Sequence, residues 1–223
     1  MATSTLTLDQ QQSISDWLVE HPVLSEGLGS GYEACSIASI NLALTGELTA
    51  RVPDCMSLVI GRWIIYVQDE MPEELRNSDE WKELLPIAAG TGRARERERA
   101  SYIFEWVWDK VLPLLTPVAR REDLEGKWGL LLEKRTSDAA REFIANTLWL
   151  YANTSEVSRH LVPAVDSAVR AYDSFYGDTF YGYAFAGYIS KVLDYATQSS
   201  GDEPSSVWST LDPVGTLRAL IEA

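Results

Sequence analysis

The densest arrangement of residues that could do chemistry lies between Gly90 and Arg99. Gly90-Thr91-Gly92 leads into an alternation of basic and acidic residues, Arg93-Ala94-Arg95-Glu96-Arg97-Glu98-Arg99. A glycine turn that opens a helix leaves backbone N–H groups free, with the positive end of the helix dipole behind them. Thr91, Gly92, Arg93, Arg95, Arg97 and Arg99 are therefore a candidate site for a phosphate or for an acidic partner surface. No Lys-Ser/Thr pair follows, so this is not a Walker loop. The structural alternative is a solvated helix start in which Glu96 and Glu98 pair with neighbouring arginines.

A second constellation is aromatic. Tyr172, Phe175, Tyr176, Phe180, Tyr181, Tyr183, Phe185 and Tyr188 crowd one segment, with Gly182, Ala184, Ala186 and Gly187 between them. Tyr176, Phe180 and Tyr183 share one helical face, while Tyr181, Phe185 and Tyr188 lie on a rotated one. Aromatics around most of a helix require burial on all sides or an interaction surface. Tyrosine in place of leucine favours a surface with a wet edge, because tyrosine is enriched at interfaces. The expectation is a protein interface with a second copy or another partner; intramolecular core is the alternative.

Other chemistries are poorly supplied. Gly29-x-Gly31-x-x-Ala34 has the spacing of a dinucleotide fingerprint, but a helix and a proline turn precede it where that motif needs a strand. His21 and His160 belong to no metal-ligand spacing, and the run Asp69, Glu70, Glu73, Glu74 reads as a wet helix end. No Gly-x-Ser-x-Gly elbow is present. No catalytic, cofactor or metal residue is assigned, and no cofactor is expected. Cys35 and Cys55 both sit in apolar helical pattern and read as buried, reduced thiols.

The elements that must position these residues are helical nearly everywhere. Thr7 and Gln10 have capping-box spacing ahead of Ile14, Trp17 and Leu18, and His21-Pro22 ends that helix. Gly27, Gly29 and Gly31 make a connection. A second helix is expected over Tyr32 to Leu44, stopped by Gly46. A third, with Pro53 in its first turn, carries the stripe Met56, Val59, Ile60, Trp63, Ile64, Val67 up to Pro72. Another bears Trp81, Leu84 and Leu85 and is interrupted or kinked at Pro86. A long helix then runs from the arginines into Ile103, Phe104 and Val111, fraying at Pro113 and Pro117. Trp106 and Trp108 lie two apart and cannot share a face, so one of them should be less buried or meet a second packing partner. A helix capped by Thr136 or Ser137 follows with Phe143, Ile144, Leu148 and Tyr151, then one capped by Thr154 or Ser155 with Val157, Leu161, Val165 and Val169, then the aromatic segment. Asp212-Pro213 starts a last one with Leu217, Leu220 and Ile221.

No hairpin signal separates two alternating runs. The expected fold class is all-α, an irregular bundle of roughly eight to ten helices with little or no sheet. Two regions are expected, 1–120 and 121–223, the second carrying the aromatic helix, and one continuous domain is equally compatible.

Three stretches, Ala34–Thr49, Ile60–Ile65 and Leu84–Arg93, resemble a family of uncharacterised bacterial and phage proteins. The short ending Asp212–Leu217 is loosely similar as well. Where that family has an alanine-rich helix, this chain has the aromatic set. The resemblance implies a mobile-element setting and carries no activity or catalytic residue.

Composition narrows the function. The chain has 223 residues with 19 Lys+Arg against 33 Asp+Glu, a net charge of −14. Non-specific binding of nucleic acid and polybasic membrane anchoring both need the opposite balance. No apolar run approaches the length of a membrane span, and the N-terminus lacks the pattern of a secretory signal, so the cytoplasm is the expected location. The reading is a non-enzymatic acidic helical interaction protein of a phage or bacterial mobile element. It would self-associate or bind a protein partner, without direct contact to nucleic acid or membrane. The alternative is a DNA mimic that occupies a basic groove of a host or defence protein. It rests on the charge and on residues 1–33, which hold Asp9, Asp16, Glu20, Glu26 and Glu33 and no Lys or Arg. A small-molecule enzyme is the third class.

Overall fold

The computed structural model describes residues 6–151, 160–176, 191–198 and 204–223, without the side chains of 148–151, 172, 174–176 and 204. Among them every regular element is helical; the one extended feature is an isolated antiparallel bridge between Gly29 and Ala34. The fold is all-α, as the periodicity requires. No described helix is long and apolar enough to cross a membrane. The chain divides into two compact units, residues 1–100 with 213–223, and residues 101–212. The composition shift at Arg120–Asp123 coincides with the turn between two helices inside the second unit.

The first unit contains α1 (Leu8–Glu20), α2 (Ser36–Thr45), α3 (Leu58–Glu70), the single turn α4 (Glu73–Arg76), α5 (Asp79–Ala89) and the first residues of α6 (Glu96–Trp106). α1 begins as expected: Thr7 Oγ1 accepts from Gln10 N, and the Gln10 side chain accepts from Thr7 N. Gly46 ends α2 in the left-handed conformation with φ +75°. α2 starts at Ser36, later than Tyr32, because residues 28–35 close a turn whose bridge takes the backbone of Ala34. α3 starts at Leu58, capped by the Ser57 hydroxyl, which accepts from Ile60 N; Pro53 sits in the preceding turn. α5 runs through Pro86 without interruption, with the ring buried close to the helix end. A proline there removes only the bond to the Lys82 carbonyl.

The core of this unit is built from Ile14, Ile37, Ile40, Ile60, Trp63, Ile64, Trp81 and Leu85, all essentially inaccessible. The Trp63 and Trp81 rings lie 6.2 Å apart, and Trp81 Nε1 donates to Ser36 Oγ at 3.1 Å. A buried tryptophan N–H usually finds such a partner. Loops are fixed by long polar side chains acting on distant backbone. Asn41 Nδ2 donates to the carbonyls of Thr49 and Arg51, and Arg76 donates to those of Leu24, Gln68 and Met71.

The second unit starts inside α6. A π-helical turn, Val107–Val111, and a 3₁₀ turn, Leu112–Leu115, follow before α7 (Thr116–Arg121). Pro113 cannot donate to the Asp109 carbonyl, and its ring clashes with that position in an α-helix. The ladder widens to π and then tightens to 3₁₀ instead of fraying. The widening bears on Trp106 and Trp108, both of which are buried. Trp106 Nε1 donates to the Leu211 carbonyl at 2.8 Å, while Trp108 meets Phe104 edge-on at 5.9 Å, so each has its own packing partner.

After α7 come α8 (Glu125–Lys134), α9 (Ser137–Tyr151), α10 (Val162–Tyr176), a helical stretch over 191–198 (α11) and α12 (Pro204–Leu211). Trp128 packs edge-on against Phe143 and donates Nε1 to Thr116 Oγ1. Small residues, Ala140 on α9 and Ala164, Ala168 and Ala171 on α10, are buried where those two helices pack. Arg141 Nη2 donates to both oxygens of Asp173 at 2.9–3.0 Å across the same pair. The chain ends in α13 (Pro213–Glu222), which begins at Pro213 as expected and packs on α3 and α5 in the first unit.

Candidate functional site

The arginine-rich run begins α6, but the helix starts at Glu96 and its side chains point to different tasks. Arg99 is buried, and its guanidinium donates to the carbonyls of Thr91, Gly92 and Leu220. Burial pulls its pKa down from the ordinary arginine value, with Glu96 acting in the opposite direction. Arg95 donates to the Glu222 carbonyl at 3.1 Å. Both arginines therefore serve the C-terminus of α13, where carbonyls lack intrahelical partners and the dipole favours a cation. Arg93 lies 3.4 Å from Asp54, which also faces Arg51. Arg97 is exposed and forms no ion pair among the described residues. Thr91 Oγ1 donates to the Ala88 carbonyl and accepts from Ser57 N, and Gly92 N donates to the Cys55 carbonyl.

Glu96 does not pair with the neighbouring arginines in the expected way. Its carboxylate sits at the N-terminus of α3, accepting from Leu58 N at 2.6 Å, Val59 N at 3.0 Å and Ser57 Oγ at 2.7 Å. The anion that a helix N-terminus attracts is supplied here from within the chain. Glu96→Ala should lower stability by about 2 kcal/mol, since two backbone donors and a hydroxyl lose a charged acceptor. Glu98, exposed two residues further on, is the control: Glu98→Ala should change stability by less than about 0.5 kcal/mol. Urea midpoints for the two variants decide it, and equal shifts would remove the capping role.

Of the aromatic set, Phe180, Tyr181, Tyr183, Phe185 and Tyr188 lie outside the described residues, as do the side chains of Tyr172, Phe175 and Tyr176. The Gly29-Gly31-Ala34 segment forms a closed turn with no strand before it. Gly27 N donates to Asp69 Oδ1 at 2.9 Å, which gives that carboxylate a structural task. Among the described residues no three His, Cys, Asp or Glu side chains converge as metal ligands would. Cys35 and Cys55 are both buried free thiols. Burial is the main cause that raises the pKa of each; backbone N–H groups oppose it at Cys35, and Arg93 opposes it at Cys55. Thiols held in the protonated form are poor nucleophiles.

The feature that reading the residues did not single out is a groove between α1 and α5. It is lined by Ser15, Leu18, Val19 and Pro22 on one side and by Asp79, Lys82 and Glu83 on the other. Val19 is 79% exposed, Val23 follows Pro22 at 42%, and Ile87, one turn beyond Glu83, is 50% exposed. α1 and α5 together carry Asp9, Asp16, Glu20, Asp79, Glu80 and Glu83 against the single Lys82. None of the six carboxylates forms an ion pair among the described residues. Val19 lies off the stripe of Ile14 and Leu18 that faces the core, and an apolar residue at such a position was the available signal. Comparison of the chain with family models, with curated proteins and with solved structures finds no match.

Proposed function

We propose that this chain is a non-enzymatic acidic helical protein that acts by binding a protein partner, and that the α1–α5 face is its docking surface. The observation that carries the reading is the groove itself, where Leu18, exposed Val19 and Pro22 line one wall beside unpaired carboxylates. Scattered single apolar side chains on a surface are ordinary, whereas apolar groups gathered along a groove with a polar rim are typical of an interaction site. The polar side chains of the first unit support a non-catalytic role as well. Arg76, Arg99, Asn41 and Glu96 are engaged with backbone groups that the fold would otherwise leave unsatisfied. The cytoplasm is the location that suits two buried free cysteines. A phage or bacterial mobile element would be the chain's setting, a reading that rests on the letters of Ala34–Thr49, Ile60–Ile65 and Leu84–Arg93 alone. The aromatic set at 172–188, read from the sequence alone, would be a second means by which the chain self-associates or holds a partner.

Site-specific photocrosslinking tests the reading. A photoreactive residue replacing Val19, irradiated in cells that naturally make the protein, should give a discrete adduct of higher mass. The same residue replacing Asp138, exposed on α9, should give none. Absence of an adduct at 19, or equal adducts at both positions, would sink the proposal. An adduct of twice the chain mass would assign the face to self-association.

A further inference from the structure

We infer, resting on that reading of the groove, that its occupant is a basic amphipathic helix from another protein. Charge selects the partner's sign. The groove carries Asp79 and Glu83 on one wall beside Lys82, the lone cation of α1 and α5, while Asp16 and Glu20 lie on α1 outside the lining and add to the acidity around it. Lysines or arginines flanking an apolar stripe would meet these carboxylates, and complementary charge raises both the encounter rate and the discrimination against wrong partners. A second copy of this chain is disfavoured by the same arithmetic. A two-fold contact would bring this acidic face against an identical one, within a molecule of net charge −14.

Backbone hydrogen bonding selects the partner's conformation. The groove lies between the sides of two helices, whose interior N–H and C=O groups are paired along their own ladders. An extended peptide would find no strand edge among the described residues of this unit and would lose water from backbone groups without replacement. A helix arrives with its backbone satisfied and presents side chains at i, i+3, i+4 and i+7. Val19 and Pro22, with buried Leu18 beneath them, then meet its apolar stripe while the flanking cations reach the rim.

The test uses the full chain and three labelled helical peptides of about 14 residues, four turns each. They share one leucine face and differ in having lysine, glutamine or glutamate on the flanks. In fluorescence anisotropy the lysine peptide should bind about tenfold more tightly than the glutamine peptide at low salt. That advantage should vanish between about 50 and about 500 mM salt. The double variant Asp79→Asn, Glu83→Gln should lose the advantage while keeping the glutamine peptide's affinity. Val19→Asp, at an exposed position that leaves the fold intact by circular dichroism, should abolish binding of the lysine and glutamine peptides alike. Equal affinity for lysine and glutamine peptides overturns the charge assignment and leaves the groove a docking surface. Lysine-peptide binding that survives Val19→Asp overturns the inference by showing diffuse electrostatic attraction. Failure of all three peptides overturns the docking reading together with it.

Discussion

Arg99→Met should destabilise the protein by about 4 kcal/mol, read as a large fall in the urea midpoint. The arginine is 3% exposed, and its Nη1, Nη2 and Nε donate to Gly92 O at 2.9 Å, Thr91 O at 3.3 Å and Leu220 O at 3.2 Å. Methionine fills comparable space with apolar atoms, so cavity formation contributes little and the effect isolates the polar groups. Three carbonyls lose a charged donor at once. A bond to a charged group is worth about 1.5–3 kcal/mol, and a buried group left unsatisfied costs a similar amount. Arg99→Lys should recover only part of the loss, because one ammonium is a compact charge without the planar fork that spans three acceptors. A midpoint for Arg99→Met within about 1 kcal/mol of the parent would show that water replaces the guanidinium, and the clamp would lose its standing.

That clamp also explains which features could be read from the letters. Helix ends with local causes were legible. Thr7 with Gln10, Gly46, Pro22 and Pro213 each act within one turn of their own position, so spacing alone identifies them. The 3.6-residue stripes likewise placed Ile60, Trp63 and Ile64 in a core. Ends with distant causes were not. At α3 the Ser57 cap is local, accepting from Ile60 N, but the carboxylate that completes it comes from Glu96, 39 residues away, and nothing near Pro53 encodes that. The arginine run looked like an open anion site because its acceptors, the carbonyls of Leu220 and Glu222, are more than 120 positions further along. Trp106 and Trp108 obeyed the rule that residues two apart point apart, by about 200°. They are nonetheless both buried, since Pro113 converts the following turn to π and each ring finds its own neighbour. The candidate groove escaped for a related reason. Val19 and Glu83 become neighbours only once α1 lies against α5, and a side chain on the margin of a stripe carries no mark of what flanks it.

Gly29→Ala should cost about 3 kcal/mol, while Gly27→Ala should cost about 1 kcal/mol, and the difference between them is the informative quantity. Both glycines have left-handed backbone, φ +73° at Gly29 and +59° at Gly27. An L-residue there loses roughly 1–2 kcal/mol from the clash of its Cβ with its own chain. At Gly27 that is the whole effect, for a methyl group would meet nothing within 4 Å. At Gly29 the methyl would run into the Glu33 carbonyl oxygen and the Ser25 hydroxyl, and would lie 2.9 Å from Ala34 Cα. Two of these three neighbours are backbone, fixed by the bonds that close the turn: Ser30 N to Glu33 O at 2.7 Å, Ser25 N to Ala34 O at 3.2 Å and Cys35 N to Leu28 O at 3.3 Å. Relief therefore requires opening the turn. Its collapse would free Cys35, whose sulfur accepts from Ala38 N as the cap of α2. A glycine spaced as in a nucleotide fingerprint thus has a contact within the chain that requires it. Thermal or urea unfolding of the two variants separates these costs. Equal losses at 27 and 29 would mean that the turn yields easily, and the close approach would then explain nothing about why glycine stands at position 29.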